Sequence, residues 1–323
     1  MSASASSSTS SSASTSANGG KIGLGLCCIN TVLQKKKIIC SKTMIQKNFT
    51  VDKAKTLALC NVKNIKPLLQ WNDENGIKNL RISSDIFPHF TNPNVEKYSM
   101  DFAKEVFADV AQYAHANGHR LYTHPGQYNQ IGAKSADVFQ KTVDDLDMHA
   151  QMLEYLGYDA PGGICIHGGG VYGDKEGTIR RWIEQFSDLP ARVRRCVAIE
   201  NCEKCYSTRD AITIAEACKI PVIFDCHHYE CYKILHPDEK EEDLDVLLDE
   251  VVDTWKGNKP IFHISEQRKD GRIGAHSDFI ETIPDYLLEI PKKYNIDFTL
   301  DVEAKMKEQA ILKLYEKYPF LKC

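Results

Sequence analysis

Residues 163–170 read GICIHGGG. A short β-branched run ends in a histidine and breaks at once into three glycines. The run is too brief for a buried helix and suits a strand covered on both faces. The same pattern recurs along the chain. KIGLGLCC (21–28), NLRIS (79–83), RLYTH (120–124), CVAIE (196–200), PVIFD (221–225), PIFHI (260–264) and DFTLDVE (297–303) are further runs of this kind. Between them the apolar spacing changes to about 3.6 residues. Ala103, Val106, Phe107, Val110, Ala111 and Ala114 mark one face of a helix within 97–117. Ala54, Leu57, Ala58, Ile65, Leu68 and Leu69 mark an earlier one. Helices are expected also over 135–156, 176–186, 207–218, 241–255, 279–289 and 304–317. Strand and helix alternate through eight units. That predicts an α/β fold, a closed (β/α)8 TIM barrel in one domain over 21–323. An open doubly wound sheet is the alternative, but it asks for a Gly-rich phosphate loop that GLGLCC does not supply.

The chain has 323 residues, enough for one large core. Residues 1–20, MSASASSSTSSSASTSANGG, have no apolar surface to bury and are expected to form a disordered tail. The tail lacks the apolar middle of a signal peptide, so an intracellular, unsecreted protein is expected, in nucleus or cytoplasm. No apolar run nears the roughly 18 residues of a membrane span. The 12 cysteines therefore read as reduced thiols rather than a disulfide frame. CEKC (202–205) has zinc-like spacing but no second pair to match it. A net charge of −4 argues against a protein held on nucleic acid by bulk positive charge. Locally concentrated charge, such as bound metal, is compatible with it.

The ends of the strands carry the chemistry. His124 ends the third, His167 the fourth, Glu200 the fifth and Asp225 the sixth, with His227 and His228 just beyond. His263 lies near the end of the seventh and Glu303 ends the eighth. His89 and His276 follow in the loops after strands two and seven. Seven of the 11 histidines thus fall at the C-terminal mouth, where barrel active sites sit. So many imidazoles and carboxylates would repel one another and suffer from desolvation unless cations neutralised them. The mixed donors suit Zn2+ or Mn2+, and their number suits two or three divalent ions with Glu200 bridging. Clustered ions lower the pKa of bound water and clamp phosphate oxygens, which favours phosphodiester hydrolysis. A sugar-phosphate isomerase on the same barrel is the alternative.

The motifs LGLCCIN (24–30), RISSDIFPH (81–89), THPGQYNQ (123–130), IHGGG (166–170), AIENCE (198–203), FDCHH (224–228), HISEQR (263–268), GAHSDFI (274–280) and DVEAKMKE (301–308) occur in one order over nearly the whole chain. In this the sequence resembles the UV damage endonucleases. The resemblance implies a DNA-repair hydrolase that nicks duplex DNA immediately 5′ of ultraviolet photoproducts, leaving 3′-hydroxyl and 5′-phosphate ends. Its cofactors would be two or three divalent ions, manganese first, and its partner damaged double-stranded DNA. Nothing points to an obligate protein partner. A relation to apurinic/apyrimidinic-site endonucleases is also implied, and that activity is an alternative. Carried over by position, the metal ligands are His89, His124, His167, Glu200, Asp225, His228, His263, His276 and Glu303. Glu200, Asp225 and Glu303 would carry the catalytic charge balance. Gln127 and Tyr128 would probe the lesion, with Asn30 near it. The chain departs from related sequences at Leu26, Cys202 and Ile261, where an aromatic, an acid and a lysine are often found. Lys35, Lys36, Lys37, Arg268, Lys269 and Arg272 are candidates for following the DNA backbone.

Overall fold

Every expected run forms a strand, trimmed by one or two residues. In the computed structural model, which describes residues 19–240 and 242–322, the strands are β1 (Ile22–Cys27), β2 (Asn79–Ile82), β3 (Arg120–Thr123), β4 (Ile164–His167), β5 (Val197–Glu200), β6 (Val222–Asp225), β7 (Ile261–Ile264) and β8 (Phe298–Val302). They close in the order β1 to β8, each parallel to both neighbours. Closure runs from Ile22 opposite Phe298 to Leu26 opposite Val302. The open sheet is thereby excluded. All but two residues of the expected tail lie outside the described residues.

The helices are α1 (Thr31–Lys35), α2 (Val51–Glu74), α3 (Lys104–Ala116), α4 (Ala136–Leu156), α5 (Lys175–Phe186), α6 (Ala191–Cys196), α7 (Thr208–Cys218), α8 (Cys226–Leu235), α9 (Leu244–Thr254), α10 (Asp285–Tyr294) and α11 (Glu308–Lys317). Side-chain caps start several of them. Ser135 accepts from the Val138 N–H to begin α4, and Ser207 and Asp210 form a capping box on α7. The helix expected over 279–289 begins only at Asp285. Pro284 holds an extended ψ of 137°, and a proline biases the residue before it away from helix. The periodic pattern gives no sign of α8, because Cys226, His227, His228, Tyr229, Cys231 and Tyr232 bury it on more than one face. Among the described residues, no helix is long and apolar enough to cross a membrane. The cysteines from Cys27 to Cys231 are free thiols.

Strand alternation divides the core in two. Ile164, Ile166, Val197, Ile199, Val222, Phe224, Phe262 and Ile264 join the large cluster packed beneath the helices. Tyr122, Cys165, Ala198, Ile223 and Ile261 form a second, smaller cluster with Trp255. This is the inward set, and Trp255 is tied to it by donating from Nε1 to the Val222 carbonyl at 2.7 Å. Gly25 on β1 leaves room for a neighbour in the same interior. A Cβ there would stand 1.7 Å from a carboxylate oxygen of Asp301.

Candidate metal centre

Two residues beyond each inward position the same face of the strand reaches the mouth. Cys165 is followed by His167, Ala198 by Glu200, Ile223 by Asp225, Ile261 by His263 and Asp301 by Glu303. His124 follows Tyr122 in the same way, one residue past β3. Glu200 is fully buried at the centre. Its Oε2 lies 2.8 Å from His124 Nε2 and 3.7 Å from His167 Nδ1. Its Oε1 lies 3.1 Å from His263 Nδ1 and 3.3 Å from His228 Nδ1. Burial alone would push the carboxyl up, but the surrounding imidazoles of His167, His263 and His124 outweigh it and hold the group well below its usual range. His263 responds in the opposite sense. Burial disfavours its charge, yet Glu200 overcomes this and raises it to about 9. His167 is dominated by burial, which Glu200 only partly offsets, and falls to about 4.

Two buried atoms in this nest have no hydrogen-bond partner. The first belongs to Asp225. Its Oδ1 accepts from the His228 N–H at 2.8 Å, capping α8, while Oδ2 is left without a partner. That oxygen stands 3.7 Å from His228 Nδ1 and 4.0 Å from His263 Nδ1. His167 Nδ1 is the second. Buried polar atoms are rarely left unpaired, and a divalent cation would satisfy both. Two groups of donor atoms each lie within 4.8 Å of one another: His124, Cys165, Glu200 and His263, and His167, Glu200 and His228. They share Glu200, the carboxylate expected to bridge. His276 Nδ1 is 3.6 Å from Glu303 Oε2, and Glu303 Oε1 is 3.5 Å from His263 Nδ1. Thus His124, His167, Glu200, Asp225, His228, His263, His276 and Glu303 come together. His89 does not join them. Its Nε2 lies 2.8 Å from the Met44 carbonyl and its Nδ1 3.2 Å from the Asn92 amide. Its backbone has a left-handed φ of 57°, uncommon for a residue with a side chain. Cys202 and Cys205 join neither group; their loop is closed instead by the Cys205 N–H donating to Cys202 Sγ at 3.2 Å.

The family model for UV-endonuclease UvdE matches residues 22–322. The chain belongs to the UvdE family. A protein of Acanthamoeba polyphaga mimivirus, provisionally named UV-damage endonuclease, is 35% identical over 310 residues, covering 93% of this chain and 92% of that one. The UV-damage endonuclease of Schizosaccharomyces pombe is 31% identical over 318 residues, and the alignment spans 91% of this chain but 50% of that protein. The crystal structure of SacUVDE superposes with a TM-score of 0.80 at 27% identity, covering 93% of this chain and 100% of the other.

In this UvdE-family barrel the turn after β3 presents the expected pair. Gln127 is exposed, and Tyr128 is 64% exposed. The tip is pinned from behind, where Asn129 Nδ2 donates to Asp145 Oδ2 at 2.8 Å and the Tyr128 hydroxyl lies 3.4 Å from the same oxygen. Gly126 lets the ring lie close to the backbone, since a Cβ would come within 2.4 Å of the Tyr128 ring and displace it. Asn30 is buried and caps α1, its Oδ1 accepting from the Leu33 N–H, with Nδ2 unpartnered. Arg268 and Arg272 line a hollow of about 610 Å3 with His276 and Glu303. Lys35, Lys36, Lys37 and Lys269 are exposed. The pattern reading missed Arg81, whose buried guanidinium pairs with Glu303 from β2. Its signal was a lone charge inside an apolar strand. Cys165 was missed for the opposite reason: a cysteine in such a run passes for a small hydrophobe.

Proposed function

We propose that the chain is a metal-dependent endonuclease that nicks damaged duplex DNA immediately 5′ of ultraviolet photoproducts, leaving 3′-hydroxyl and 5′-phosphate ends. The observation that carries this reading is the convergence of four imidazoles and the unpartnered Asp225 oxygen on the buried Glu200 carboxylate. Membership of the UvdE family and the names of its relatives support the substrate. His124, His167, His228, His263 and His276 would hold two or three divalent cations with Glu200, Asp225 and Glu303, manganese first among them; His89 would complete the set by turning from Met44. When bound, such ions supply a nucleophilic water at neutral pH and neutralise phosphate oxygens.

The protein's own groups do the rest. Glu200 keeps the donor atoms in register by its contacts to four rings. Arg81 pairs with Glu303 and helps hold its carboxylate in place. Arg268 and Arg272 offer positive charge to the DNA backbone beside His276. Tyr128 offers a flat ring on which an unstacked base can rest, and Gln127 an amide for exposed base edges. A distorted photoproduct costs less to unstack than intact DNA, so part of the selectivity comes from the substrate. Supercoiled plasmid, irradiated or not, tests the reading with Mn2+ or with chelator. Relaxation of irradiated plasmid in Mn2+ alone is expected. Equal cutting of both plasmids, cutting confined to an abasic duplex, or cutting undiminished by chelator would overturn it.

A further inference from the structure

The cation centre has an inner floor that the nine family positions do not include. Cys165 Sγ stands 3.2 Å from Glu200 Oε2 and donates its thiol proton there. The same oxygen is 2.8 Å from His124 Nε2, and Glu200 Oε1 is 3.1 Å from His263 Nδ1. These four donors all lie within 4.8 Å of one another. With zinc–sulfur bonds of about 2.3 Å and zinc–nitrogen bonds of about 2.0–2.1 Å, tetrahedral donors sit roughly 3.3–3.8 Å apart, so small adjustments bring this set to that spacing.

A second observation fixes the orientation of one donor. The Tyr122 hydroxyl donates to Asp301, leaving its oxygen to face His263 Nε2 at 3.1 Å. Having given its only proton away, that oxygen must accept from Nε2–H. The neutral ring then carries its lone pair on Nδ1, the atom facing Glu200. A carboxylate behind a hydroxyl behind a ligating imidazole is how proteins aim such rings at a metal.

We propose that Cys165 is a metal ligand, and that His124, Cys165, Glu200 and His263 form a closed, thiophilic site that takes one zinc-like ion apart from the others. This rests on the metal-dependent reading above and sharpens it. Thiolate and carboxylate together balance the two charges of the ion, and the thiol proton leaves to solvent on binding. Four protein donors leave no open position, the mark of an ion that is held rather than one that reacts. The second group, His167, Glu200 and His228, has three donors and keeps a position open. Thiolate selects zinc over manganese, so the two sites would differ in metal preference.

Cobalt is the probe. Full-length protein, stripped with chelator and titrated with Co2+, should show a sulfur-to-cobalt charge-transfer band in the near ultraviolet with tetrahedral bands in the visible. Cys165→Ser and Cys165→Ala should lose the charge-transfer band and weaken first-ion zinc affinity by more than about 100-fold, beyond the loss usual for a supporting residue. Cys27→Ser should retain both, because the Cys27 thiol faces Asp301 at 3.4 Å. X-ray absorption at the zinc edge, on wild-type protein with one equivalent of zinc, should show one sulfur neighbour; this needs no variant to fold. Cobalt uptake without the band, a band that survives in Cys165→Ser, or a zinc shell without sulfur would overturn the proposal and leave the metal-dependent reading standing. Failure to take up any cobalt would overturn both.

Discussion

Two layers of the barrel interior lie a single strand period apart and behave as different materials. The lower layer is Tyr122, Cys165, Ala198, Ile223 and Ile261 over Trp255, mostly apolar, with the buried Asp301 carboxylate held by the Tyr122 hydroxyl. The upper is His124, His167, Glu200, Asp225 and His263, almost wholly ionisable. The strands are shared; the side chains change, and with them burial, since His124 and His167 are only partly covered. The lower layer excludes water from beneath the upper, and in a dry setting each charge acts more strongly on its neighbours. Stability and chemistry are thus stacked in one tube, and Cys165 and Tyr122 are where the two layers meet.

Breaking the upper layer should cost activity. Glu200→Gln removes the charge that four imidazoles share, and nicking of irradiated plasmid should fall by about a thousandfold, at the upper end for one electrostatic group, with the circular dichroism spectrum kept. A rate within tenfold of wild type, as a rough bound, would mean that the carboxylate is not central. Breaking the lower layer should cost stability instead. Ile223→Ala is expected to lower unfolding free energy by about 2–5 kcal/mol in denaturant titration, while turnover at low temperature stays near wild type. Were turnover to collapse as in Glu200→Gln, the layers would not be separable.

The rim sharpens the contrast, since it touches neither layer. Tyr128→Ala should reduce the preference for irradiated over intact DNA by roughly tenfold to a hundredfold, the worth of about 1–3 kcal/mol of stacking. Its melting temperature should not move, because the ring is mostly exposed. The smallest effect lies outside the barrel. His119 is held below 6.5 by burial, against the pull of Asp73 at 2.9 Å. A folded-state pKa below the unfolded one means that the unfolded chain takes up the proton first. Stability is therefore present above pH 6.5 and declines as pH falls from there. His119→Asn should flatten that slope in melting curves taken across pH; an unchanged slope would remove His119 from the account.

Much of this was legible because strands buried on both faces must be apolar nearly throughout, so a His, Glu or Asp at the end of each stood out. Glu200, Asp225 and His263 are found that way. The turn after β3 was equally readable, since Pro125-Gly126 can only bend. What the sequence hides is distance. Arg81 and Glu303 are 222 positions apart in the chain yet paired over β1, which lies between their strands. Nothing in either local pattern says so. Cys165 falls under the mouth rather than among the helices because of its place in the pleat. That a carboxylate two positions on the neighbouring strand would face it depends on register, His167 lying opposite Glu200. His89 shows the limit from the other side: its residue type and loop fit the set, but its ring is turned to Met44.

Asp225 fastens the first turn of α8 with one oxygen and leaves the other unpartnered beside His228 and His263. In the function proposed above, the clasp that starts a helix is therefore also a corner of the metal cup. No separate ordering step is needed to aim it. Once this chain has wound its sixth strand into the following helix, that corner is already set, before any ion is needed.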